Sequence, residues 1–395
     1  MFDISHFDVG QAETTDWTPT TPLHQRLSGD DCPYFCEETT LPDRGKRLKK
    51  VGQRNYKRMH CEKLALADSL EAAGRDDVAN LLRNCCSQLF VDRYTKGVRV
   101  RGLNECKHPL CPTAQLARAR RQYGATVVAV EKLLSTTADM QGLLLTLTVQ
   151  SCPAHELNYR LGEIIRAFGR LMSFTKVKQA VKAYVRSVEF TRNAITSLWH
   201  VHIHACLFVS KAEYFRRSSK IYISQEQWAA LWRKALRATY DPVVDIRALN
   251  GLVSPLDERG RDALCEVIKY QVKPGSLVYW ESGRAYAVGR QVPELYRKPG
   301  SDKLEPMLNV PVIAFCDAVK GRRLVATSRN LQGDETLDFT DDPKGEVKAI
   351  DLGEFICTEI YQWHTRGRDA DFFLVGRTFN DPDQPGKQGG FAMGP

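Results

Sequence analysis

The run Trp199–Val209 reads Trp-His-Val-His-Ile-His-Ala-Cys-Leu-Phe-Val, with His200, His202 and His204 at alternate positions inside an apolar stretch. Successive side chains of an extended strand point to opposite faces. The three imidazoles therefore share one face, and Val201, Ile203 and Ala205 take the other. Two imidazoles two residues apart on a rigid strand form half of a divalent metal site. Glu189, flanked by Val188 and Phe190 in the preceding apolar run, is the candidate third donor. A carboxylate in such surroundings is costly unless a cation or hydrogen bonds compensate it. Two imidazoles and a carboxylate suit Mg²⁺ or Mn²⁺ in phosphate chemistry, and Zn²⁺ or Fe²⁺ could take the same ligands. The competing reading is three histidines satisfied on an edge strand without metal.

A second group of reactive side chains follows. Glu266 and Tyr270 are four apart and Lys273 is three beyond the tyrosine, so all three share one face of a helix. A tyrosine with a carboxylate and an ammonium beside it has the parts of a nucleophile and its helpers. The same spacing is common on purely structural helices, so this group carries little by itself.

These residues need a scaffold, and the hydrophobic pattern predicts one. Leu143–Val149, Val181–Phe190, Trp199–Val209 and Val243–Ala248 read as strands. Leu157, Leu161, Ile164, Phe168 and Leu171 recur at helical spacing. Ser224 and Gln227 form a capping box opening a helix over 225–236, whose buried stripe is Trp228, Leu231, Trp232 and Leu236. A further helix over 261–272 ends at Pro274-Gly275. The expected fold class is α+β, an antiparallel sheet with helices packed on one side. One or two short helices over 56–82, a hairpin turning at Lys96-Gly97 and a β-rich C-terminal extension complete the pattern.

With 395 residues and 43% hydrophobic content, the chain has enough apolar material for two or three domains. No apolar run approaches the roughly 20 residues of a membrane span. The N-terminus lacks signal-peptide character, so a cytoplasmic protein is expected. Its twelve cysteines then read as reduced thiols or metal ligands, with Cys206 and Cys265 expected in the core. The net charge of +9 is uneven: residues 1–43 carry −8, the remainder +17, and eight basic residues fall between Arg44 and Arg58 without an acid. Such a basic body favours a polyanion such as nucleic acid. The expected organisation is an acidic disordered tail (1–43), a basic, helical and Cys-containing DNA-binding region (44–130), a catalytic core (131–280), a C-terminal extension (281–380) and a flexible tail (381–395).

Taken in order, Leu145-Thr146-Leu147-Thr148, Val185–Thr191, His200-Val201-His202-Ile203-His204, Tyr222–Trp228 and Glu266–Lys273 resemble the replication initiators of small rolling-circle plasmids, with a fainter likeness at Val319–Val325. These are HUH endonucleases, and the likeness covers about residues 80–330. The resemblance implies a bacterial cytoplasmic enzyme that nicks and joins single-stranded origin DNA. His202, His204 and Glu189 would hold Mg²⁺ or Mn²⁺, with His200 a third imidazole ligand or a residue behind the ligands. Tyr270 would form a 5′-phosphotyrosine, Glu266 would activate water in the terminating cleavage, and Lys273 would stabilise phosphate charge or lower the tyrosine pKa. Lys269, Arg118, Arg120 and Arg121 would contact DNA. Implied partners are plasmid origin DNA, a host helicase and a DNA polymerase, with no membrane. A relaxase or transposase of related chemistry shares these motifs, and a DNA-binding repressor with a degenerate nuclease core is the alternative from another class. A small-molecule hydrolase would leave the basic body unexplained.

The resemblance also suggests a zinc-like pattern of Cys, a spacer, then Cys-x4-Cys-Pro-x-Cys. Cys86, Cys106, Cys111 and Pro112 match it, but Ala114 stands at the last position. Cys85 or His108 is the candidate replacement, since structural zinc takes four N/S ligands. The alternative is a metal-free subdomain packed on its thiols.

Overall fold

The computed structural model describes residues 46–49, 55–102, 105–137, 139–249, 252, 256–268, 276–297, 301–331, 353–366 and 369–379, and of Arg120, Glu258, Glu266, Thr365, Arg366 and Asp369 the backbone alone. The expected tails, 1–43 and 381–395, lie outside these residues, as do Lys269, Tyr270 and Lys273.

Helices α1 (Tyr56–Glu71) and α2 (Asp76–Asn84) precede the hairpin β1 (Gln88–Tyr94) and β2 (Val98–Gly102), then the long helix α3 (Pro112–Thr136). The centre comprises β3 (Met140–Thr148), α4 (Leu157–Ser173), α5 (Thr175–Ala180), β4 (Val181–Arg192), β5 (Trp199–Ser210), α6 (Lys211–Phe215), α7 (Gln225–Leu236), β6 (Val244–Leu249) and α8 (Glu258–Ile268). There follow β7 (Val278–Glu281), β8 (Arg284–Ala287), β9 (Glu294–Tyr296), β10 (Glu305–Met307), α9 (Val310–Val319), β11 (Val325–Thr327), β12 (Phe355–Arg366) and β13 (Asp369–Thr378). The class is α+β. No helix among the described residues is long and apolar enough to cross a membrane.

Five strands form an antiparallel sheet in the order β11-β4-β5-β3-β6. Helices cover both of its faces, which corrects the expectation of one covered side. Val188, Val201, Ile203 and Leu207 share a core with α4 and α7, and Val185, Cys206 and Phe208 share a second core with α3 and α8. The reason lies along β5. Its histidine half alternates polar and apolar, but from Ala205 to Val209 every residue is apolar and fully buried. A strand apolar on both faces needs cover on both. Cys206 is buried as expected, whereas Cys265 is exposed: α8 turns Leu264, Val267 and Ile268 inward, which leaves Cys265 on its outer side.

The capping box forms as read. Ser224 Oγ accepts from Gln227 N, and the Gln227 side chain accepts from Ser224 N. The helix it opens seats Trp228 and Trp232, both fully buried, each contributing about 2–3 kcal/mol by the usual measure of apolar burial. Trp232 Nε1 donates to the Thr148 carbonyl at 2.8 Å, which ties α7 to β3.

A second sheet, β13-β12-β1-β2, pairs β1 with β12 through registers such as Gln88↔Gln362. The segments 44–130 and 281–380, distinct in composition, thus meet in one sheet. Meanwhile β11 gives the central sheet one of its two edge strands.

Candidate metal centres

Register brings the first site together. Glu189 stands opposite His202 across β4 and β5, and His204 stands between Ser187 on β4 and Thr146 on β3. Glu189 is buried, with Val188 and Phe190 packed in the core of the other face. Its Oε2 lies 3.1 Å from His202 Nε2 and 3.0 Å from His204 Nε2. One donor atom from each of the three residues lies within 4.8 Å of the others.

These separations suit a shared cation. Donors about 2.1 Å from a Mg²⁺-sized ion at right angles stand about 3.0 Å apart. His204 Nδ1 also lies 3.2 Å from Thr146 Oγ1. A hydrogen bond donated by Nδ1–H to that hydroxyl leaves the Nε2 lone pair directed at Glu189, the tautomer a ligand needs. Thr146 carries no role in the sequence reading, though Thr146 and Thr148 interrupt the leucine run of β3 with hydroxyls on one face.

His200 does not join the three donors. Its ring centroid is 5.3 Å from that of His202, and its Nδ1 lies 3.3 Å from Ser151 Oγ. Burial and then His202 hold its pKa below the usual imidazole value.

The helical group is described only in part. Glu266 belongs to α8, and the described end of that helix lies against the histidine strands: Ser187 Oγ donates to the Val267 carbonyl, and Ser187 is the register partner of His204. Lys269, Tyr270 and Lys273 follow outside the described residues.

The second centre is made of sulfur. Cys85, Cys106 and Cys111 form a three-thiol group within 4.8 Å, with Cys85 in the place expected for Cys86. Cys85 ends α2 in an extended conformation, while Cys86 takes φ 49°. That turn sends the Cys86 thiol against Gly102, where an added Cβ would come within 2.3 Å of Sγ. Cys85 and Cys111 Sγ are 3.5 Å apart, near the roughly 3.8 Å expected of thiolates on a tetrahedral zinc with ~2.3 Å bonds. Two peptide N–H groups already point at sulfur, Cys106 N at Cys85 Sγ (3.3 Å) and His108 N at Cys106 Sγ (3.5 Å). Thiol hydrogen bonds from Cys106, Cys111 and Cys86 push the Cys85 pKa down. His108 is outside the group: its Nδ1 accepts from Leu110 N, and burial lowers its pKa to about 4.

Lys63, on α1, lies beside this cluster and is fully buried. It donates to the Cys85 carbonyl and lies 3.1 Å from His60 Nδ1. His60 in turn stacks on Trp363 of β12, with ring centroids 4.0 Å apart. Burial lowers the Lys63 pKa, while the four nearby cysteines act to raise it. The sequence carried a signal for this residue. Tyr56, His60, Lys63, Ala67 and Leu70 recur at helical spacing, which places a lysine on the apolar stripe.

Of the DNA-contact candidates, Arg118 and Arg121 are partly buried on α3, and Arg121 pairs with Glu105 at 2.8 Å.

Comparison with known proteins gives a consistent picture. Residues 97–372 match a family described as "Replication protein". "Protein rep" of Streptococcus pneumoniae serotype 2 (strain D39 / NCTC 7466) is 31% identical over 264 residues, covering 66% of this chain and 79% of that protein. "Protein rep" of Lactiplantibacillus plantarum is 34% identical over 188 residues, 46% of this chain and 57% of that protein. No solved structure matches.

Proposed function

This chain belongs to the replication-protein family, and from that premise we propose that it is a plasmid replication initiator that nicks and rejoins one strand of origin DNA. The observation that carries this reading is the convergence of His202 Nε2, His204 Nε2 and one Glu189 oxygen on neighbouring strands, beside the end of α8.

His202, His204 and Glu189 would hold Mg²⁺ or Mn²⁺, which when bound acts as a Lewis acid on the scissile phosphate. Thr146 holds the His204 ring and its tautomer. Tyr270, two residues beyond Ile268, is the proposed nucleophile. Its phenolic oxygen bonds to phosphorus and loses its proton, the bond from phosphorus to the 3′ oxygen breaks, and that leaving oxygen takes up a proton. The products are a 5′-phosphotyrosine and a free 3′-hydroxyl from which a host DNA polymerase extends behind a host helicase. The phosphodiester energy is kept in the covalent link for the later joining step. Lys273 and Lys269 would face the DNA phosphates. Glu266, one turn before Tyr270 in sequence, would take a proton from water in the terminating cleavage.

The three thiols would supply three of the four ligands of a structural zinc. Zinc with three thiolates carries a net −1, and the buried Lys63 ammonium is the matching countercharge. A buried ammonium without such a partner is expensive.

The test is to incubate the full chain and Tyr270→Phe with single-stranded oligonucleotides tiling the origin of its own replicon, with Mn²⁺ present. A covalent adduct mapped to Tyr270 and lost in the variant is expected. An adduct on another residue, or a normal yield from Tyr270→Phe, would overturn the assignment.

A further inference from the structure

At the β11 edge of the central sheet, a cleft of about 980 Å³ opens between three segments. Lys107 and Pro109 come from the loop joining two cysteines of the thiol cluster, Arg118 and Arg121 come from α3, and Arg322 and Arg323 come from the turn after α9. That turn belongs to the stretch Val319–Val325, for which the initiator mechanism has no role.

The described lining is basic and contains no acidic side chain. The nearest carboxylate named in the structure is Glu105, paired with Arg121. The cations are crowded: Arg118 has its pKa lowered by burial and then by Arg121, and Arg322 by burial and then by Arg166. Gly162 makes room for this second pair, since a Cβ there would stand 2.9 Å from Arg166 Nη1 and 3.3 Å from Arg322 Nη2.

Beneath the turn lies a further guanidinium. Arg186 of β4 is buried and donates to the carbonyls of Arg323 (3.4 Å) and Leu324 (3.2 Å). No carboxylate among the described residues pairs with it. Arg322 is anchored as well, donating to the carbonyls of Asn158 (2.8 Å) and Ala318 (3.0 Å). The turn is thus pinned by two arginines, and Arg323 remains exposed. Among the described residues Glu105 is the one carboxylate paired with these lining arginines; like charges gathered with so little compensation destabilise the free protein, and a bound polyanion would offset that cost.

The chemistry of the lining narrows the ligand. Among the described residues no aromatic side chain lines the cleft, so these residues offer no platform on which a base could stack. Its charged donors are guanidinium and ammonium groups, which match phosphate oxygens. Its position narrows the ligand further. Val325 pairs with Ser187, which pairs with His204, so the cleft borders the strands that carry the proposed metal ligands.

We propose that this cleft is a second nucleic-acid site, which grips the phosphodiester backbone of DNA flanking the nick without reading its bases. The proposal deepens the initiator reading and rests on it for the identity of the polyanion.

The test is fluorescence anisotropy with the full chain and labelled 20-nucleotide DNA lacking the origin sequence, single-stranded in one arm and duplex in the other. No divalent metal is added, and KCl is varied. Arg118→Ala/Arg121→Ala is expected to weaken binding about tenfold or more. It should also reduce the slope of log affinity against log salt by about 1.4 on single strands or about 1.8 on duplex, the worth of two phosphate contacts. Arg118→Lys/Arg121→Lys should restore most of the slope, which a merely structural role would not do. Arg323→Glu, at an exposed position, tests the opposite wall without risk to the core and should also weaken binding. Arg83→Ala, on α2, should change neither quantity. A slope lost in one arm only identifies the strand form bound. Unchanged slopes for both Arg118→Ala/Arg121→Ala and Arg323→Glu would overturn the proposal. Adduct formation is scored separately at saturating origin DNA. If the wild-type chain forms no adduct, the initiator reading fails while the affinity result still stands.

Discussion

The two candidate metal centres are built in opposite ways. The His202–His204–Glu189 group stands on the middle of paired strands, with Glu189 buried and the imidazoles partly open. The Cys85–Cys106–Cys111 group stands where elements end: the C-cap of α2, a loop, and the residue that opens α3. It is sulfur-rich, and a buried lysine lies beside it. Rigid strands hold ligands in place whether or not an ion is bound, so such a site can leave positions for substrate oxygens. Element ends have no such support, and an ion joining them contributes to folding directly. If each group holds its proposed ion, losing the first would remove chemistry and losing the second would remove structure.

The largest expected effect tests the first half of that contrast. His204→Ala or Glu189→Ala should lower Mn²⁺-dependent nicking about 10³-fold or more, since Lewis-acid stabilisation is worth several kcal/mol. Thermal unfolding should move little, because the packed cores on both faces of the sheet are untouched. Calorimetry should show Mn²⁺ affinity lost in step with nicking. A large fall in melting temperature with metal affinity retained would reverse the roles of the two centres.

The first centre was largely legible in the sequence, because alternation along one strand is a local property. His202 and His204 had to share a face, and Glu189 lay on the run before them, joined by residues 193–198, a loop short enough for an antiparallel pair. The second centre was less legible. Cys85 and Cys86 are adjacent, and what separates them is a positive φ at Cys86 together with the side-chain-free surface of Gly102, a residue sixteen positions away. Pairing of β1 with β12 joins residues more than 260 apart and leaves no local pattern. Helices on the histidine face are hard to read from the sequence, because β5 passes from alternating to continuous apolarity and the alternating half predicts only one buried side. Lys63 could have been found, since a lysine on an apolar helical stripe is itself a signal.

The next effect in size separates the neighbouring cysteines. Cys85→Ser should remove most of a bound equivalent of zinc, measured by elemental analysis. It should also lower the melting temperature by several degrees, as expected when an ion that binds only the folded state is lost. Cys86→Ser should keep the zinc, because its thiol faces Gly102. Equal zinc loss in both variants would put Cys86 back in the ligand set. Absence of zinc from the wild-type chain, with unchanged stability after chelation, would leave a metal-free thiol cluster.

The smallest effect is the sharpest test of how the two centres differ, because its sign depends on the ion. Lys63→Met keeps the length of the side chain and removes the buried charge. In chelated protein the ammonium has burial against it and only thiols to offset it, and replacing a buried charge by an apolar group of similar volume is often neutral or stabilising. The melting temperature of the chelated variant should therefore equal or exceed that of the chelated wild type. With zinc bound, three thiolates leave a net negative charge beside position 63. The same substitution should then weaken zinc about tenfold, read by competition with a chromophoric chelator. Nicking at saturating zinc should be unchanged, since Lys63 belongs to the thiol cluster and makes no contact with the strand-borne donors. If Lys63→Met destabilises both forms alike, the lysine acts through its hydrogen bonds to His60 and the Cys85 carbonyl. Its role would then be to tie α1 to the end of α2, and the countercharge argument would fail.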